Sequence, residues 1–212
     1  MKYNGFYYWL FSGTIKKTIT EKYNKTYAKE IMKKSKIVYR KIVNEADDIG
    51  DDNPMAYNEL FALTFTAPYL ASDKKIPPEI IQETMRRALY HVRWFFSMTN
   101  LNTLKGKNEN KKNIMKYVKW YTPEKEKKYP TSFKVDFVGQ PHENACYYRI
   151  TRCPICTYCK KLGVEELMPL FCELDKVMIT LQHGILHRRC TIANGDAYCD
   201  YYITGNKEKA VK

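Results

Sequence analysis

Phe133-Lys134-Val135-Asp136-Phe137 decides the fold, because its apolar and charged side chains alternate residue by residue, the period of a strand with one buried face. Ala145 to Thr151 follows as a second strand after the turn-forming Gly139-Gln140-Pro141, which makes a hairpin. Two helical segments come next, Cys153 to Leu162 and Glu165 to Gln182, separated by Gly163. Ile185 to Ala193 and Tyr198 to Thr204 then flank an Asn194-Gly195 turn as a second hairpin. The order ββααββ predicts an α+β module over residues 129–205, an antiparallel sheet with helices packed on one face.

Upstream of this module, residues 1–128 repeat every three or four positions and read as a basic, mostly helical region. Ile15, Ile19, Tyr27, Ile31, Val38 and Ile42 describe one face of a single long helix over Gly13 to Ile42, a stretch with ten basic and two acidic residues. Ala56 to Leu70 reads as a buried helix limited by Pro68, and Pro77-Pro78 opens another that runs through Phe96. Lys105 to Lys128 reads as a Lys-rich connecting helix. Asp47, Asp48, Asp51 and Asp52 surround Gly50 in a turn; they lack the ligand order of a calcium loop and are expected to cap helices. The helices are expected to form one compact unit with the module, and residues 206–212 to form a disordered tail.

A chain of 212 residues with 44% hydrophobic content buries one sizeable core. Its net charge of +13 raises nucleic acid as a partner. Yet 28 of the 36 basic residues are Lys, in a chain also rich in Asn, Ile and Tyr. A solvated Lys-rich surface accounts for that composition, so nucleic acid is not expected. The apolar run Phe6 to Phe11 is far shorter than the roughly 20 residues that span a bilayer, and no membrane association or signal peptide is expected. Seven cysteines, six of them between Cys153 and Cys199, lack the even spacing of a secreted disulfide framework. They read as thiols, which places the protein in the cytoplasm.

On the helix Glu165 to Gln182, Leu167, Leu170, Phe171, Leu174, Met178 and Leu181 share one face. Cys172, Asp175 and Ile179 form a strip beside it, so a thiol and a carboxylate face something other than the main core. In a pocket they would act as nucleophile and as proton acceptor or orienting group; against packing, Cys172 is a small buried hydrophobe and Asp175 a solvated charge. Cys153, Cys156 and Cys159 have the spacing of zinc or iron–sulfur ligands, but the run is incomplete. No metal is expected, with zinc or iron–sulfur at these three as the alternative. Arg188 and Arg189 fall in the third strand and point to opposite faces, so only one reaches a site shared with the helices.

Three ordered motifs carry a resemblance. They are Tyr148 to Pro154, Glu166 to Asp175, and Arg188 with Thr191-Ile192-Ala193-Asn194-Gly195 and Cys199-Asp200-Tyr201. Together they resemble the L-2-amino-thiazoline-4-carboxylic acid hydrolase family, most closely from about Phe133 to Thr204. The resemblance implies an intracellular hydrolase that opens a cyclic amidine or thioimidate and needs no cofactor. It singles out Cys172, Asp175 and Cys199 as catalytic residues. Arg188, Thr191, Cys153 and Asp200 follow as substrate-binding residues, with Arg188 pairing a substrate carboxylate. Cys172 is the preferred nucleophile because its helix sets Asp175 alongside; Cys199 and Asp200 point to opposite faces, so one of those two is structural. The ββααββ order is also similar to vinyl-reductase-like ligand-binding domains, which offers a non-catalytic small-molecule or metal-sensing alternative. A small-molecule substrate is the partner implied, and a homo-oligomer stays open.

Overall fold

The computed structural model describes residues 4–139 and 146–208, so Gln140, Pro141 and Ala145 of the first hairpin and the last four residues of the tail lie outside the described residues. Among the described residues seven helices precede the sheet: α1 Phe6–Lys22, α2 Lys25–Glu45, α3 Ala56–Ala71, α4 Pro78–His91, α5 Arg93–Ser97, α6 Leu104–Trp120 and α7 Pro123–Lys128. The module follows as β1 Lys134–Gly139, β2 Cys146–Arg152, α8 Pro154–Lys161, a 3₁₀ turn Glu165–Leu167, α9 Met168–Leu181, β3 Gly184–His187, a 3₁₀ turn Ile192–Asn194 and β4 Cys199–Gly205. All neighbouring strands are antiparallel, in the order β1-β2-β4-β3.

The single long N-terminal helix is in fact two. Asn24 adopts extended backbone and its side chain accepts the Tyr27 amide at 2.8 Å, which starts α2 afresh. Pro68 does not limit α3; it sits within the helix, which continues to Ala71. The α4 segment ends at His91, and the α5 turn carries the chain to Ser97. The acidic turn is pinned by lysines rather than spent on helix caps: Lys161 reaches Asp47 at 2.7 Å and Lys125 reaches Asp52 at 2.6 Å.

The third strand is shorter than its apolar pattern suggests. After His187 the chain leaves the sheet, and Thr191 caps the 3₁₀ turn by accepting the Asn194 amide at 3.2 Å. Gly195, at φ 93°, closes that turn in the left-handed region where glycine carries no Cβ penalty. Arg188 and Arg189 therefore lie in the connection between β3 and β4, not within a strand.

Helix α9 sits between two cores. Leu167, Phe171 and Leu174 pack with Phe11, Ile15 and Met85 in a helical core. On its other side Ile179 joins the sheet core, built from Val135, Ile150, Cys199, Tyr201 and Ile203. The two-residue period puts Cys199, Tyr201 and Ile203 of β4 on the helix-facing side of the sheet and Asp200 and Tyr202 on the other. Among the described residues no helix is long and apolar enough to cross a membrane.

One buried group opposes the fold. Glu59 of α3 is 1% exposed, and among the described residues neither carboxylate oxygen has a hydrogen-bond partner. Burial, reinforced by Asp47 and only partly offset by Lys161, pushes its carboxyl up to about 8. The folded state thus keeps a proton that the unfolded chain releases near pH 4.5, and stability falls as pH rises from there through about 8. Each pKa unit corresponds to about 1.4 kcal/mol, so Glu59→Gln is expected to exceed the parent by ~2–4 kcal/mol at pH 8 and to match it far more closely at pH 5. Urea unfolding at the two pH values checks this; equal pH dependence in both proteins would contradict it.

Candidate functional site

Cys172, Asp175 and Ile179 lie on the side of α9 that faces the sheet, which answers what the strip beside the apolar stripe looks toward. Asp175 Oδ2 accepts two hydrogen bonds from sheet-side groups, Arg188 Nη2 at 2.9 Å and the Tyr201 hydroxyl at 2.8 Å. Among the described residues its Oδ1 takes no hydrogen bond, and the side chain keeps 22% of its surface exposed.

Arg188 is the centre of the arrangement. Its side chain is 4% exposed, Nη1 donates to the Cys172 carbonyl at 2.9 Å, and Nε donates to the Asp200 carbonyl at 3.3 Å. The guanidinium lies 4.1 Å over the Tyr201 ring, which in turn stacks on Tyr148 at 4.6 Å. Burial works against the charge, but Asp175 outweighs it and holds the guanidinium above its ordinary range. The carboxylate that the structure sets against this fork is Asp175.

Four successive amides between β3 and β4 each aim at a side-chain acceptor. Arg189 N and Cys190 N donate to Asp200 Oδ1, both at 2.9 Å, and Thr191 N donates to Asp196 Oδ2 at 2.8 Å. Ile192 N donates to Cys199 Sγ at 3.2 Å. Three of these amides reach carboxylate oxygens and the fourth reaches a sulfur. A neutral thiol is a weak acceptor and a thiolate a strong one, so the connection offers Cys199 the surroundings of an anion.

The two thiols divide accordingly. Cys199 is 5% exposed, and its thiol has a hydrogen-bonding interaction with that of Cys172. That bond lowers the Cys199 thiol below its ordinary range; burial opposes the shift, and the Ile192 amide and the Arg188 charge reinforce it. The same bond raises Cys172, as do its burial and the neighbouring Asp175. The Ile192 amide on its sulfur makes Cys199 the better placed of the two to carry a thiolate.

The remaining residues singled out from the sequence separate by face. Thr191 shapes the turn that aims the Ile192 amide, without reaching the thiol pair itself. Asp200 is on the far side of β4, where burial opposes its charge but the Cys190 and Arg189 amides hold its carboxyl low. Cys153 links β2 to α8, packs between the two cores, and is raised by its hydrogen bond with Cys156. Cys156 and Cys159 are buried in the helical core, and among the described residues no group of three or more His, Cys, Asp or Glu is set to hold a metal ion.

Sequence reasoning missed Tyr148, Tyr201, Ile192 and Asp196. Tyr201 carried a usable signal, since the residue two beyond Cys199 in a strand shares its face. The Ile192 amide carried none, because a backbone donor leaves no mark on side-chain pattern. Tyr57 of α3 and Tyr117 of α6 add an outer wall, their hydroxyls 3.3 Å apart. Tyr57 keeps 43% of its surface exposed, yet burial and the nearby Tyr117 and Asp175 raise its phenol well above the ordinary value.

The model of a family described as L-2-amino-thiazoline-4-carboxylic acid hydrolase matches residues 57–203, from the start of α3 to the end of the sheet. No curated protein and no solved structure matches the chain.

Because Arg188 is buried, removing only its partner leaves an uncompensated charge. Asp175→Asn is expected to destabilise the fold by about 3–5 kcal/mol, whereas the double replacement Asp175→Leu with Arg188→Met recovers most of that loss. Denaturant unfolding of the two variants is the check. A double variant as unstable as the single one would contradict the ion-pair account.

Proposed function

The chain belongs to the L-2-amino-thiazoline-4-carboxylic acid hydrolase family, and from that premise we propose that it hydrolyses a small cyclic amidine or thioimidate with Cys199 as nucleophile. The observation that carries this reading is the Cys199 sulfur, which accepts the Ile192 amide at 3.2 Å, next to the Asp200 carbonyl that the buried Arg188 guanidinium holds. Cysteine reacts as its thiolate, and a donated amide stabilises that form.

In the proposed reaction the Cys199 thiolate bonds to the amidine carbon while the C=N π pair moves to the ring nitrogen. The amidine is bound protonated, so this nitrogen already carries its proton and leaves the step as a neutral N–H. The lone pair of the exocyclic nitrogen then re-forms a C=N bond as the ring C–S bond breaks and its electron pair leaves on the ring sulfur as a thiolate, leaving a covalent amidinium on Cys199. Water adds to that carbon, and expulsion of the sulfur returns the Cys199 thiolate with a carbamoyl product. Asp175 acts through Oδ1, the oxygen not used by Arg188 or Tyr201, by accepting an N–H of the amidine and orienting it.

Charge supports the substrate class. Asp175 and the Cys199 thiolate are two negative groups against one guanidinium, so the site is electronegative within a chain of net charge +13. A protonated amidine completes that balance, and the tyrosine faces of Tyr148 and Tyr201 flank it favourably. The thiol pair is free of disulfides, as a cytoplasmic setting keeps it.

Cys199→Ser is expected to lower kcat with a 2-amino-thiazoline-4-carboxylate substrate by at least about 10³-fold. Cys172→Ala removes the thiol that lowers Cys199, so the rising limb of the kcat/KM profile moves to higher pH. Steady-state kinetics across pH measures both. Undiminished turnover in Cys199→Ser would overturn the assignment of the nucleophile.

A further inference from the structure

Large apolar side chains are left open to solvent where α4 passes into α5. Tyr90 is 44% exposed, Trp94 66%, Phe95 60% and Met98 74%. Only Val92 separates the two helices, and its amide still reaches the Ala88 carbonyl, so Tyr90, Trp94 and Met98 follow one another at helical four-residue steps. The Trp94 and Phe95 rings meet edge to face, 6.1 Å apart. Val92 and Phe96 pack against the helical core, so the segment is anchored by one face and presents the other.

The cations of this stretch lack matching acids. From Thr84 to Asn108 the chain carries Arg86, Arg87, Arg93, Lys105 and Lys107 and no Asp or Glu. Arg87 is paired with Glu21 and Glu83, and Lys107 with Glu208. Among the described residues no carboxylate pairs with Arg86, Arg93 or Lys105, and Arg93 donates to the neutral Tyr90 carbonyl. The acids of α4, Glu79 and Glu83, lie toward its start, and Glu83 is taken up by Lys22 and Arg87. We propose that this face docks on an anionic lipid bilayer: Trp94, Phe95 and Met98 enter the headgroup region, and Arg86, Arg93 and Lys105 draw it to the lipid phosphates.

Charge selects this occupant. A second copy seated on the same face would set these cations against their counterparts, with no carboxylate between Thr84 and Asn108 to answer them. Side chains this exposed project from the surface instead of lining a groove that could receive a peptide. Aromatic rings beside arginines suit the boundary between headgroups and acyl chains, where the ring is desolvated and the guanidinium stays with phosphate. Span length governs crossing of a bilayer, not attachment by one face, and no described helix needs to cross for this contact. The inference is independent of the hydrolysis of a cyclic amidine, since it uses no residue of the thiol site.

The test mixes the full chain with vesicles of phosphatidylcholine, alone or with about a third phosphatidylglycerol, and separates bound from free protein by sedimentation. The expected result is binding to the anionic vesicles at least about tenfold stronger than to the neutral ones, and its loss as salt rises from roughly 0.1 M to 0.5 M. Because the chain is basic as a whole, the apolar half is tested separately. Trp94→Ser with Phe95→Ser is expected to weaken binding at least about tenfold, while Ile37→Ser, at a comparably exposed apolar residue of α2, leaves it unchanged. Trp94→Phe keeps the affinity but loses the blue shift of tryptophan emission that vesicles induce. Binding that the double variant retains, a blue shift that survives in Trp94→Phe, or no binding at low salt overturns the proposal. A dimer that the double variant abolishes, seen without vesicle binding, also overturns it and assigns the face to a second copy. The Trp94→Phe readout decides the matter if the double variant does not fold.

Discussion

The buried pair of Arg188 with Asp175 is the constraint on which the site depends. It joins the connection between β3 and β4 to the middle of α9, and the same guanidinium also holds the Cys172 carbonyl and the Asp200 carbonyl. A charge that is 4% exposed is tolerable only when its donors are satisfied, and three separate acceptors satisfy this one. The consequence is registration: with α9 fixed in this way, the Cys172 thiol meets Cys199, and Tyr201 reaches the same carboxylate. Chemistry at Cys199 thus rests on an ion pair that has no need to touch a substrate.

The backbone supplies the second half of the device. Arg189, Cys190, Thr191 and Ile192 present their amides in sequence, and Asp200, Asp196 and Cys199 receive them. Asp200 and Cys199 are neighbours in β4 and point to opposite faces, so one clamps the connection from outside while the other receives its last amide on the helix side. This explains why a threonine, a left-handed glycine and two aspartates accompany the cysteine: they shape the turn that aims one N–H at one sulfur.

Much of the fold was legible because period and composition report burial directly. The alternation at Phe133 to Phe137 and the strip of Cys172, Asp175 and Ile179 both landed on the faces that their spacing implies. The N-terminal break at Asn24 was not legible from the apolar face, since Ile15, Ile19, Tyr27 and Ile31 keep a helical rhythm through the cap. Arg188 was found, but its partner was not. A guanidinium fork matches any carboxylate, and sequence alone does not tell that the one supplied is Asp175. The preference between the two thiols depended on a backbone amide, and no side-chain pattern records one.

The central claim is that Cys199, not Cys172, carries the negative charge of the thiol pair. Titrating the ultraviolet absorbance of thiolate in the folded protein and in Cys199→Ala tests it most directly. The account predicts a thiolate that forms in the parent chain below the ordinary thiol range of about 8.5 and is missing from the variant. A parent titration with no such step, or one that persists unchanged without the Cys199 sulfur, would contradict it.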